Sequence, residues 1–238
     1  MSDVIRESSF ESAIESHLQA AGWRRGSSAE YTVLLGLVVD DLVDFVRTSQ
    51  PDEWELLCAR HGGELNARAK AVKRVADELS TRGTVDVLRR GVKDHGVSFQ
   101  VASFAPANSL TPGLWERYSQ NRLTVIRQLH HSESNAASSL DMALFVNGIP
   151  TATVELKNPL TGQSVGDAMN QYRSDRNPND LIFKHRAVVH FAVDPDQVYM
   201  TTKLAGADTV FLPFNQGSNG AGHAGGAGNP LNLDGYRT

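Results

Sequence analysis

Apolar positions along the chain fall first into helical and then into strand periods. Phe10, Ile14, Leu18 and Ala21 line one face of a helix over 8–21. Ser8 and Glu11 have the spacing of a capping box at its start, and Gly22 is placed to end it. Over 31–47, Leu34, Leu35, Val38, Val39, Leu42 and Phe45 keep a helical rhythm; the same apolar run also suits a strand. Pro51 and Asp52 mark a loop before Trp54, Leu56 and Leu57. Residues 64–94 read as two helices joined near Arg82-Gly83. Val72, Val75, Ala76 and Leu79 face a core, and Thr84 is placed as N-cap of the second helix.

The period then changes to two. Strands are expected over 97–104 and 123–129, and an alternating pair over 140–146 and 150–157 is broken by Asn147-Gly148. A helix over 161–175 puts Val165, Ala168, Met169 and Tyr172 on one face. A second hairpin, 188–193 with 198–202, turns at Asp194-Pro195-Asp196. Helices and strands in this order predict the α/β class (α+β mixed), with a central mixed sheet flanked by helices.

Residues 215–230 are rich in glycine and lack the GxxxxGK[ST] spacing of a phosphate-cradling loop, so they read as a linker. The 238 residues, 40% hydrophobic and 21% charged, suit one globular unit with an appendage. There is no run of 18 apolar residues to span a bilayer and no apolar leader at the N-terminus. A single cysteine, Cys58, forms no internal disulfide, and a reducing cytoplasm is the expected setting. The net charge of −4 hides an uneven distribution. From Arg68 to Asp94 there are eight Lys/Arg against four Asp/Glu. That stretch is either a solvated helical face or a surface for phosphate, with Arg89, Arg90 and Lys93 the candidates for DNA contact.

The chemistry concentrates in LDMALFVNGIPTATVELKN, residues 140–158. Leu140, Met142, Leu144 and Val146 share one face of the first strand. Ala152, Val154 and Leu156 share one face of the second. If both sets pack on one core, even positions pair with even. A strict two-residue turn at Asn147-Gly148 breaks that parity, so a three-residue loop, Val146-Asn147-Gly148, is expected. Asp141, Glu155 and Lys157 then emerge together. Two neighbouring carboxylates repel, and a hard divalent cation such as Mg²⁺ removes the conflict. The Leu156 carbonyl adds an oxygen ligand, and a lysine beside the ion orients water or stabilises charge on a phosphate. Asp…Glu-x-Lys therefore suits phosphodiester hydrolysis. A salt bridge on a solvated hairpin face is the plain alternative. His130 and His131 are adjacent on a strand, so they point to opposite faces and do not ligate jointly. No G-x-G-x-x-G lies between an expected strand and an expected helix.

The block from Leu140 to Gly162 closely resembles the N-terminal part of the motor-nuclease (R, restriction) subunit of type I restriction–modification enzymes, a region similar in fold to PD-(D/E)xK nucleases. FESAIESHLQAAGW at 10–23, NRLTVIRQLHHS at 121–132 and HFAVDPDQVYMTTKL at 190–204 extend the resemblance over most of 8–230. It implies Asp141 and Glu155 as metal ligands and Lys157 as the catalytic lysine. Glu11, from the first helix, is a further candidate ligand; the alternative is that it caps its own helix with Ser8. Gln171 matches the glutamine of the family's Q-x-x-x-Y motif, which implies DNA contact. The position four residues on is Asp175, whereas Tyr172 directly follows the glutamine. Tyr172 is thus a weaker match for DNA contact, and its spacing from Val165 also suits the core.

The resemblance further implies Mg²⁺, with Mn²⁺ as a substitute, and nonspecific cleavage of double-stranded DNA after translocation. Methylation and specificity subunits would be partners. Family members are longer and carry an ATP-driven motor, so ATP would act in the full-length protein and not on these residues. On that reading 1–214 form the nuclease domain, and 215–238 lead toward the motor. The alternatives are a stand-alone nuclease of this fold and a catalytically silent docking domain.

Overall fold

The computed structural model describes residues 2–158 and 162–214, with side chains from Ser9 onward. The Gly-rich stretch expected to be a linker lies outside the described residues. The helix α1 spans Ser2–Ala20 and is followed by the short strand β1, Arg24–Arg25. Ser8 is therefore inside α1 and not at its cap, so the capping-box reading of Ser8 and Glu11 fails. Phe10, Ile14 and Leu18 do form the packing face, against Val125, Met142, Val154 and Leu156.

The apolar run after Tyr31 is divided. Tyr31–Thr32 (β2) and Leu37–Val38 (β3) make a small antiparallel hairpin, and helix α2 begins only at Val39, ending at Ser49. The reason is Gly36, at φ +68 in the turn between the two strands, where a continuing helix is broken. Pro51 does not sit in a loop. It occupies the first turn of α3, Pro51–His61, where a missing N–H costs nothing. Helices α4 (Glu64–Arg82) and α5 (Thr84–Arg90) meet at Gly83 as expected. Thr84 is already helical, however, and its hydroxyl donates to the Arg186 carbonyl, not to its own helix.

The second of these helices was expected to reach residue 94, but it stops at Arg90. Val92–Asp94 (β4) instead pairs with Val97–Phe99 (β5), and the strand expected over 97–104 is only this short hairpin arm. Gly91 permits the change. A Cβ there would lie 2.3 Å from the Phe99 carbonyl oxygen, so only glycine fits. Leu42, Phe45, Trp54, Leu57, Val72, Val75, Leu79 and Phe99 form one core in this helical half.

Helix α6 (Pro112–Ser119) precedes the central strands β6 (Leu123–His130), β7 (Ser139–Val146) and β8 (Ile149–Leu156). Helices α7 (Val165–Ser174) and α8 (Leu181–His185) follow, then β9 (Val189–Val193), β10 (Val198–Thr201) and β11 (Leu212–Pro213). The mixed sheet has seven strands in the order β1-β6-β7-β8-β9-β10-β11. The β1–β6 and β8–β9 pairs are parallel, and the rest antiparallel. A parallel β8–β9 pair needs a crossover, and α7 and α8 supply it. The expected α/β class with a central mixed sheet flanked by helices is the observed one.

The central hairpin corrects the expected loop. Val146 pairs with Ile149, so Asn147 (φ +49) and Gly148 (φ +75) make a two-residue turn of the kind that needs positive φ at both positions. Parity is restored one step later. The register shifts at Leu144/Phe145, leaving Thr151 as the extra residue, and Leu144 then pairs with Ala152 and Met142 with Val154. Both faces of the hairpin are covered: Met142, Val154 and Leu156 meet α1, while Leu140, Ala143 and Phe145 join Tyr172, Ile182 and Phe183.

Candidate active site

Asp141 lies on β7 and Glu155 on β8, one step beyond the Met142–Val154 pair, so the two face each other across the ladder. The Leu156 backbone N–H donates to Asp141 Oδ2 at 2.8 Å, which fixes that carboxylate. Glu155 is fully buried. Its Oε1 accepts from Arg176 Nε at 2.7 Å, while its Oε2 meets no donor among the described residues. Burial above all, then the charge on Asp141, pushes Glu155 up to about 8, against the opposing pull of Arg176. Lys157, two residues on, is also buried, and its backbone N–H continues the sheet to the Val193 carbonyl at 2.9 Å. The structure thus brings Asp141, Glu155 and Lys157 to the end of two adjacent strands, in a buried setting and not on a solvated face.

A third carboxylate joins them. Glu11 of α1 is buried, and its Oε1 accepts from Gln128 Nε2 at 3.1 Å; the same amide lies 3.5 Å from Asp141 Oδ1. Glu11 Oε2 takes two bonds from Arg127, at 2.6 and 2.9 Å. Burial raises Glu11 despite Arg127, and Asp141 adds to the rise. Gln128 has φ +48 in the middle of β6, a conformation that a strand residue does not choose unaided. It places one amide against both Glu11 and Asp141. Glu15, one turn from Glu11, pairs with Arg127 and Arg25 on the same side of the sheet.

Three residues of this site were not expected: Arg176, Gln128 and Arg127. Arg176 is buried and also donates to the Ser139 carbonyl at 2.8 Å and Ser138 Oγ at 3.2 Å. Arg127-Gln128 did carry a signal, because two consecutive polar residues interrupt the apolar run Val125-Ile126…Leu129 of the LTVIRQLH strand. Arg176 carried none, since it follows the last turn of α7 in a polar segment.

Gln171 and Lys157 line one open groove of about 380 Å³, together with Gln163, Asp167 and Asn170. Gln171 Oε1 has no hydrogen-bond partner among the described residues. Tyr172 faces the other way. It is fully buried and its hydroxyl bonds Thr153 Oγ1 at 2.8 Å, so the core reading of Tyr172 holds and it presents no surface to DNA. Arg89 and Arg90 line a different groove, of about 740 Å³, with Lys184 and Lys203, and Lys93 lines neither. His130 is exposed and His131 buried, on opposite faces as expected.

A family model described as "Type I restriction enzyme R protein N terminus" matches residues 5–209. The chain belongs to this family. The matched span of the R-protein N-terminal domain contains every residue of the site just described. No curated protein matches the chain. Among the described residues of this R-protein domain no helix is long and apolar enough to cross a membrane.

The donor set suits a hard divalent cation. Asp141 and Glu155 supply oxygen, Glu155 Oε2 is buried without a donor among the described residues, and a cation would offset the burial and the neighbouring charge that favour a bound proton.

Proposed function

We propose that this domain is a Mg²⁺-dependent endonuclease that hydrolyses phosphodiester bonds of double-stranded DNA. The observation that carries the reading is the buried Asp141–Glu155 pair, whose neighbouring carboxylates, with Glu155 Oε2 unpartnered among the described residues, call for a cation, with Lys157 two residues away. Asp141, Glu155 and the Leu156 carbonyl would hold the ion, with Glu11 as a candidate outer partner. When bound, Mg²⁺, or Mn²⁺ in its place, would supply Lewis-acid stabilisation of the phosphate and an activated water.

The protein's own groups prepare that chemistry. The Leu156 N–H aims Asp141, and Arg176 holds Glu155 in one orientation. The Lys157 ammonium provides positive charge where negative charge develops on the phosphate. Gln171, on the wall of the same groove, contacts the DNA backbone through its amide. Such contacts do not read base edges, so cleavage is sequence-nonspecific. Target recognition then belongs to specificity and methylation subunits, and DNA delivery to an ATP-driven motor. The setting is the cytoplasm.

The test is cleavage of supercoiled plasmid by the assembled restriction complex, with wild type, Asp141→Asn or Lys157→Ala in this domain. Expected is loss of double-strand cutting with ATP-driven translocation intact. Cutting at the wild-type rate by either variant would leave a docking domain as the better account.

A further inference from the structure

We propose that His61, Asp94 and His95 form a second metal centre, separate from the nuclease site and suited to a zinc-class transition-metal ion. His61 is the last residue of α3, Asp94 the last of β4, and His95 opens the turn into β5. His61 Nε2 stands 2.7 Å from Asp94 Oδ2, and His95 Nδ1 stands 2.9 Å from Asp94 Oδ1. One ligand atom from each residue lies within 4.8 Å of the other two. The imidazole rings converge, with centroids 4.6 Å apart and planes at 76°.

Two imidazoles and one carboxylate are the ligand chemistry of zinc and its neighbours, not of Mg²⁺, which prefers oxygen throughout. Burial gives the set a closed side and an open one. The His61 and Asp94 side chains are 2% and 9% exposed, whereas that of His95 is 60% exposed. Three protein ligands with an open side leave room for water to complete a tetrahedral shell.

The backbone adds a second argument. Asp94 pairs with Val97, so His95 (φ +44) and Gly96 (φ +86) form a two-residue turn with both φ angles positive. Asparagine or aspartate before the glycine is the usual choice there. A histidine in that position folds its ring back onto Asp94 and faces His61 across it. An ion at this point would fasten the β4–β5 hairpin to the end of α3, which packs beside it in the helical half of the domain. That is a structural role, distinct from DNA cutting.

The experiment uses the full chain, stripped with chelator, and then titrated with Zn²⁺ and with Co²⁺ as a spectroscopic probe. His95→Asn keeps a residue that tolerates the turn, and Asp94→Asn removes the anionic ligand. Expected for wild type is one bound equivalent more than for His95→Asn, visible Co²⁺ bands of a nitrogen–oxygen site and a Zn²⁺-dependent rise in Tm. His95→Asn should weaken binding at least about tenfold, since even changes outside the ligand shell do so. Its Mg²⁺-dependent DNA cleavage in the assembled complex should be unchanged, which separates this site from the nuclease reading. Wild type without stoichiometric Zn²⁺ binding, or equal binding by folded His95→Asn and Asp94→Asn, would reduce the cluster to a hydrogen-bonded triad and overturn the proposal.

Discussion

Arg176 Nε lies 2.7 Å from Glu155 Oε1, and both side chains are shielded from solvent. This pair joins the polar segment after α7 to the end of β8. Arg176→Met would strand the Glu155 carboxyl and release the Ser138 and Ser139 contacts. Above about pH 8, where the Glu155 carboxyl is charged, breaking one side of this buried pair costs about 3–5 kcal/mol. Urea unfolding of wild type and Arg176→Met above that pH should show the loss as a lower midpoint at constant slope. A shift under about 1 kcal/mol would mean that the pair contributes little.

Glu155 also predicts a pH dependence. Its folded-state value of about 8 lies above the ordinary 4.5, so the native state holds the proton more tightly than the unfolded chain. Its contribution is fully present below 4.5 and is lost as pH rises through about 8. His131 and His190, held at about 4 by burial, act oppositely: their contribution is lost as pH falls from 6.5 through about 4. The difference between wild type and Glu155→Gln therefore isolates the carboxyl. Wild type should lose stability relative to Glu155→Gln between about pH 5 and pH 8. Added Mg²⁺ should raise the Tm of wild type more at about pH 8.5 than at about pH 6, and that of Glu155→Gln much less. A flat difference curve would contradict the shifted value.

Asn147 is a structural keystone with no part in the proposed chemistry. Its amide donates to the Val101 carbonyl at 3.0 Å and Asn121 Oδ1 at 2.9 Å, and its Oδ1 accepts from the Arg122 N–H at 2.6 Å. Each bond contributes about 1 kcal/mol, and alanine at φ +49 adds about another. Asn147→Ala should therefore cost about 3–4 kcal/mol by denaturant unfolding. Asn147→Gly, which keeps the turn, should recover only the backbone part.

The two grooves make separable predictions for DNA. Gln171→Ala removes a neutral group, so it should weaken DNA binding without changing its salt dependence. Neutralising Arg89, Arg90 and Lys93 should flatten the plot of log affinity against log salt by up to about 3, near 0.9 for each phosphate left without its cation. Fluorescence anisotropy across a salt series reads both. An unchanged slope for the triple variant would take the basic stretch out of the DNA footprint.

Much of this molecule is legible in its residues where the determining interactions are local. The helical face of Phe10, Ile14 and Leu18 and the Asn147-Gly148 turn depend on neighbours a few residues away. So does the shared phase of Glu155 and Lys157. Sequence and structure part where one local signal has two outcomes. The run after Tyr31 suits helix and strand, and Gly36 divides it between both. Ser8 and Glu11 have capping spacing, but α1 begins earlier, which leaves the Glu11 carboxylate free to reach Arg127.

The sequence alone determined the mixed α/β order and the presence of Asp141, Glu155 and Lys157 on one hairpin, because a strand's two-residue period is written in the chain. Tertiary structure decided how those groups are held. Thr151 bulges to bring Glu155 opposite Asp141. Gln128 bridges Asp141 to Glu11, 117 residues away from it in sequence, and Arg176 pairs with Glu155 from across the crossover. No local period encodes such contacts. They arise when helices close over both faces of the sheet, and burial then makes each remaining charge seek a partner.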